Sequence, residues 1–129
     1  MRLGIGLYVK NSVQAVQKYI KAFSLRLGYH VLNDDGTYFH SELYDGEGEL
    51  FCVSESGEQA NGCPVELGFT FETKEQLENA FMVLRENGRV KLEPGELPWS
   101  PLAAIVTDEF GINWYLSLPQ HRPPKDFRP

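Results

Sequence analysis

The sequence predicts an α+β fold: two tandem strand-helix-strand-strand-strand (βαβββ) modules, about 1–55 and 63–118, joined in one curved mixed sheet with helices outside and a concave cup inside. Three observations predict it. The order of hydrophobic periodicities runs through the chain twice. Turn signals fall at corresponding places in the two halves. A polar, glycine-containing stretch, Ser56 to Gly62, separates them.

Each element follows from its own residues. Leu3, Ile5, Leu7 and Val9 alternate with small or polar residues, as a first strand does. Asn11-Ser12 offers an N-cap, and Val13, Val16, Ile20 and Phe23, with Tyr19 beside them, recur at helical spacing up to a stop at Gly28. Strands from Leu27 and from Tyr38 flank Asp34-Asp35-Gly36, which suits a three-residue hairpin loop with a left-handed glycine. Asp45-Gly46-Glu47-Gly48 is a second turn, and Glu49 to Glu55 a fourth strand. In the second module Val65 to Phe71 alternates strictly. Thr73 with Gln76 forms a capping-box pattern ahead of Leu77, Phe81 and Leu84, and Asn87-Gly88 ends the helix. Arg89 to Leu92 is a short strand, Glu93 to Pro101 a proline-containing loop, and Leu102 to Val106 and Ile112 to Leu118 are the last two strands. A proline-rich tail, residues 119–129, lies beyond the expected domain of residues 1–118.

Composition restricts the function classes. A chain of 129 residues with 42% hydrophobic content buries roughly two-thirds of its unfolded surface and needs no disulfide or metal staple. A net charge of −6 repels phosphate backbones and anionic membranes, so neither nucleic acid nor membrane is an expected partner. Cys52 and Cys63 match no zinc spacing, and buried thiols are expected. Without a signal-like or membrane-spanning apolar run, a cytoplasmic protein is expected.

The repeated βαβββ order, with Pro98-Trp99-Ser100 and then Val106-Thr107-Asp108-Glu109-Phe110-Gly111-Ile112-Asn113-Trp114, resembles the vicinal oxygen chelate superfamily of glyoxalases, bleomycin-resistance proteins and dioxygenases, in its PhnB-like branch. The resemblance covers roughly Leu3 to Leu118 and implies a small-molecule site on the concave face. It also implies homodimers and, in the enzymes, a divalent metal held by His, Gln or Glu on the first and last strands of each module. Those positions fall here on about Gly4, Phe51 or Cys52, Glu66 and Tyr115. One plausible donor of four is not a metal site, so no cofactor and no metal are expected.

Strand parity then selects the lining of the cup. With Asn33 and Thr37 flanking the loop, His30 and His40 stand opposite each other and share a face with Tyr38 and Glu42, while Tyr29, Phe39 and Leu43 go under the helix. In the second module Leu67, Phe69, Phe71, Trp114 and Leu116 go to the core, and Glu66 and Tyr115 to the cup. The ligand-binding candidates are Tyr8, His30, Tyr38, His40, Glu42, Glu66, Trp99 and Tyr115. The expected function is that of a metal-free small-molecule-binding protein. The alternative is a metal-dependent lyase, isomerase or dioxygenase with atypical ligands such as His30, His40 and Glu42. No nucleophilic triad is legible, and no catalytic residue is assigned.

Overall fold

A computed structural model describes residues 1–59 and 62–119. The proline-rich tail expected after Leu118 lies, but for Pro119, outside the described residues. The order is β1 (Gly6–Val9), α1 (Ser12–Phe23), β2 (Arg26–Leu32), β3 (Tyr38–Asp45) and β4 (Gly48–Glu55), then β5 (Glu66–Thr70), α2 (Lys74–Arg85), β6 (Arg89–Leu97), β7 (Ser100–Thr107) and β8 (Asn113–Ser117). Both βαβββ modules are present. The strands form two four-stranded mixed sheets, β1-β4-β3-β2 and β5-β8-β7-β6, in which the first strand pairs in parallel with the last. Among the described residues no ladder joins the two sheets.

The modules meet through their helices and through the sheet faces those helices cover. Tyr19 of α1 is wholly buried and stands edge-on to Phe51 of β4 (5.8 Å) and to Trp114 of β8 (5.4 Å). Phe51 and Phe69 close the gap between the sheets at 6.2 Å. Lys18 donates to the Glu86 carbonyl (2.7 Å) and pairs with Glu109, and Asn79 donates to the Lys21 carbonyl (3.2 Å). One hydrophobic cluster therefore serves both modules.

The second helix starts as its sequence predicts. The Thr73 hydroxyl accepts from the Gln76 N–H (3.2 Å), and the Gln76 side chain accepts from the Thr73 N–H (3.2 Å), completing the capping box. The first helix does not. Asn11 is left-handed (φ 67°), and its side chain caps nothing. The Glu55 carboxylate at the end of β4 accepts instead from the N–H groups of Asn11 (3.0 Å) and Ser12 (2.8 Å), placing negative charge at the positive end of the helix. Nor does α1 run to Gly28: Ser24 turns left-handed (φ 55°), and Gly28 lies within β2 beneath the Tyr44 ring, leaving no room for a Cβ.

Two further expectations are corrected. The proline-containing segment after Leu92 is not a loop but a continuation of β6 to Leu97. β6 is the edge of its sheet, where Pro94 need not donate to a ladder, and register shifts absorb it. The first hairpin keeps its expected loop: the Asn33 N–H donates to the Thr37 carbonyl (2.8 Å), and Gly36 is left-handed (φ 86°). One residue beyond it the register slips. Val31 stands opposite His40 and Leu32 opposite Tyr38, so Phe39 is an extra residue in β3.

Candidate functional site

That slip decides which side chains share a face. His30 pairs with buried Ser41, not with His40, and its ring meets Tyr38 edge-on at 5.8 Å, while Tyr38 packs on the core cluster. The expected cross-strand histidine pair does not exist. A second irregularity in β2 brings the Tyr29 ring to 6.1 Å from His40. Tyr29 and Phe39, expected under the helix, are instead 64% and 66% exposed. Register irregularities of one residue, one in each strand of the hairpin, underlie these corrections.

On the face away from α1, β4 is the centre. Cys52 pairs with Gly6 on one side and Glu42 on the other, and Tyr8 lies two residues beyond Gly6 on the same face. His40 Nε2 donates to Glu42 Oε2 (2.9 Å), and the Tyr44 hydroxyl donates to Glu42 Oε1 (2.7 Å). These two hydrogen bonds, His40 foremost, hold the Glu42 carboxyl below its ordinary pKa. The Tyr44 hydroxyl is held above its own by the same Glu42 bond. Cys52 Sγ donates to Glu49 Oε1 (2.9 Å). Burial first, then Glu49 and Glu42, pushes this thiol up to about 12, so it is a neutral donor at pH 7. Around this polar centre stand two exposed rings, Tyr8 and Tyr29.

The second module presents a separate group. Trp99 occupies the tight β6–β7 turn, half exposed, and its indole N–H donates to the Tyr115 hydroxyl (2.9 Å). Glu66 is exposed at the start of β5, with Gly68 directly opposite Tyr115. The eight candidates thus divide: Tyr8, His40 and Glu42 on the outer face of the first sheet, Glu66, Trp99 and Tyr115 in the second module, Tyr38 against the core, and His30, itself exposed, beside Tyr38.

Sequence reasoning missed two features. A cavity of about 490 Å³ opens between the modules, floored by Phe23, Leu50, Phe69 and Phe71 and rimmed by Asp45, Glu72 and Glu75. None of the eight candidates lines it, and its walls come from segments too far apart in sequence to be read together. The second is Asp108. In the Asp108-Glu109-Phe110-Gly111 turn, its Oδ1 accepts from the N–H groups of Phe110 (2.8 Å) and Ile112 (3.0 Å), and its Oδ2 from Trp114 Nε1 (2.8 Å) and the Tyr19 hydroxyl (2.7 Å). Burial raises its pKa, while the four donors favour the ionised form. The spacing Asp108-x-Phe110-Gly111-x-x-Trp114 is thereby explained as a structural joint, through which α1 of the first module is tied to β8 of the second.

Comparison with known proteins agrees with this fold. No curated protein sequence matches the chain. Among solved structures, a PhnB protein from Bacillus cereus superposes with a TM-score of 0.78 at 22% identity, covering 92% of this chain and 99% of that one. A protein from Pseudomonas aeruginosa gives 0.73 at 22% identity, covering 93% and 100%. A fosfomycin resistance protein, FosX, from Listeria monocytogenes, solved with Mn(II) and dihydroxypropylphosphonic acid, gives 0.69 at 11% identity, covering 91% and 90%. At these identities the likeness is one of fold. A family model matches residues 4–116, nearly the whole span of both modules, and the chain belongs to the Glyoxalase/Bleomycin resistance protein/Dioxygenase superfamily.

Proposed function

We propose that the chain is a small-molecule-binding protein of the glyoxalase/bleomycin-resistance type, with its ligand held on the outer face of the β1-β4-β3-β2 sheet. One observation carries this reading: large rings stand exposed around an ordered polar centre, Tyr8 at 68% and Tyr29 at 64%. Exposed rings near hydrogen-bonding anchors are typical of a surface built to be covered. Glu42, with its lowered pKa, is the anchor, and Glu49 adds further negative charge beside it. A ligand with a flat apolar body and a cationic or hydrogen-donating group fits this face.

The face is open in a single chain, and Glu66, Trp99 and Tyr115 lie in the other module. We propose that a second copy covers it, so that the second module of one chain supplies these residues to the first module of the other. The exposed rings and the outer edges of β1 and β5, which pair with no further strand among the described residues, support such pairing. The first- and last-strand positions supply no full donor set by themselves, since Gly4 has no side chain and the Tyr115 hydroxyl is engaged with Trp99. A cytoplasmic setting suits the two free cysteines. Among the described residues no helix is long and apolar enough to cross a membrane.

The test is a thermal-shift screen of aromatic amines against the wild-type chain and Glu42→Gln, with sedimentation at micromolar concentration. Amines that raise the wild-type midpoint, but not that of Glu42→Gln, are expected, from a species twice 14.7 kDa. Equal shifts in both proteins would remove Glu42 from the site. A 14.7 kDa species alone would remove the second copy.

A further inference from the structure

Three different donor types converge at the centre of the same face. Glu42 and Cys52 are direct partners on the β3–β4 ladder, and His40 precedes Glu42 by two residues on one strand. One ligand atom from each, an imidazole nitrogen, a carboxylate oxygen and a thiol sulfur, lies within 4.8 Å of the other two. All three residues are half-buried. Donors around a four-coordinate zinc stand ~3–4 Å apart at bond lengths of about 2.0–2.3 Å, so small side-chain rotations would close this set on an ion.

We infer that His40, Glu42 and Cys52 form a binding site for a zinc-class divalent cation, three-coordinate from the protein with the fourth position open to solvent or ligand. The donor set selects the metal. Nitrogen and sulfur donors favour zinc, cobalt or nickel over magnesium and calcium, which take oxygen. The surroundings support it. The Tyr44 hydroxyl fixes the Glu42 oxygen that does not face His40 (2.7 Å), as an outer-shell partner does. Glu49, hydrogen-bonded to Cys52 Sγ (2.9 Å), adds negative charge beside the sulfur. Binding of the ion by sulfur expels the thiol proton. Two of the three donors lie on β3, away from the first and last strands. The site shares its location with the proposed ligand face but stands without an organic ligand.

The experiment uses the full chain, stripped of metal, with zinc and cobalt salts alone. One equivalent of cobalt is expected to produce a thiolate-to-cobalt charge-transfer band, displaced by zinc, with about one proton released per ion at pH 7. Cys52→Ser should abolish the band, and His40→Ala should weaken zinc binding by more than about tenfold. Cys63→Ser, which removes the exposed second thiol, should leave both unchanged. Should Cys52→Ser fail to fold, alkylation of the wild-type chain decides: zinc should protect Cys52 and leave Cys63 reactive. No stoichiometric binding, or a band that survives Cys52→Ser and disappears in Cys63→Ser, overturns the inference. Neither result touches the amine screen, so the two proposals can fail separately.

Discussion

Replacing Asp108 by alanine removes the acceptor for four donors at once. Two of those donors, the Tyr19 hydroxyl and the Trp114 indole N–H, belong to residues with no exposed surface. Each buried donor left without a partner costs about 1–3 kcal/mol, which makes roughly 2–6 kcal/mol for these two; the turn N–H groups can be reached by water and add less. Set against a total stability of ~5–15 kcal/mol, Asp108→Ala should be among the most damaging single changes in the chain. Tyr19→Phe keeps the ring packing and deletes one donor, for about 1–2 kcal/mol. Urea unfolding of both variants and of the double mutant measures the coupling. It should exceed about 0.5 kcal/mol, since the second substitution finds its partner already gone. Burial, followed by Asp108, raises the Tyr19 pKa well above 10. Stability from this group is therefore complete below the ordinary tyrosine pKa and is lost as pH rises through the folded value. Tyr19→Phe should lack that alkaline loss. A cost below about 1 kcal/mol for Asp108→Ala would refute the assignment of this turn as the joint between modules.

Glu55→Gln should lower stability by about 1 kcal/mol in urea unfolding at pH 7, as loss of a helix cap does. Burial works against the Glu55 carboxylate, but the N–H donors of Ser12 and Asn11 outweigh it and its pKa falls. The contribution is thus present above the ordinary glutamate pKa and is lost as pH falls through the depressed value, so wild type and Glu55→Gln should converge in acid. Gly88→Ala should cost about 1–3 kcal/mol in the same assay, because its Cβ would stand 2.5 Å from the Thr107 carbonyl oxygen and 2.9 Å from that of Leu84, both backbone atoms. Tyr8→Ala should change stability by less than about 0.5 kcal/mol while abolishing ligand-induced thermal shifts, since the ring is exposed in the absence of ligand.

The parts of the fold legible in the sequence are those set by neighbours along the chain. The Thr73–Gln76 capping box, the Asn33–Gly36 hairpin loop and the alternation of β5 each depend on a few consecutive residues, and each stands where its pattern places it. What failed depends on distant residues. Nothing near Asn11 signals that Glu55, 44 residues away, caps α1. Nothing in Tyr38-Phe39-His40 announces a bulge, yet that residue separates His30 from His40 and exposes Phe39. Pro94 looked like a loop residue because its place on a sheet edge is a property of topology. The candidate site was legible in part for the same reason. Glu42 and Tyr115 follow from parity alone, whereas Cys52 joins His40 and Glu42 only once the β3–β4 register is known.

The central claim is that ligand sits on the outer face of the first sheet. The most direct measurement is an amide-resolved NMR titration of the isotope-labelled chain with an aromatic amine taken from the thermal-shift screen. The account predicts that the largest shifts fall on Tyr8, Tyr29, His40, Glu42 and Cys52. Shifts centred instead on Phe23, Leu50, Phe71 and Glu75, around the cavity between the modules, would contradict it.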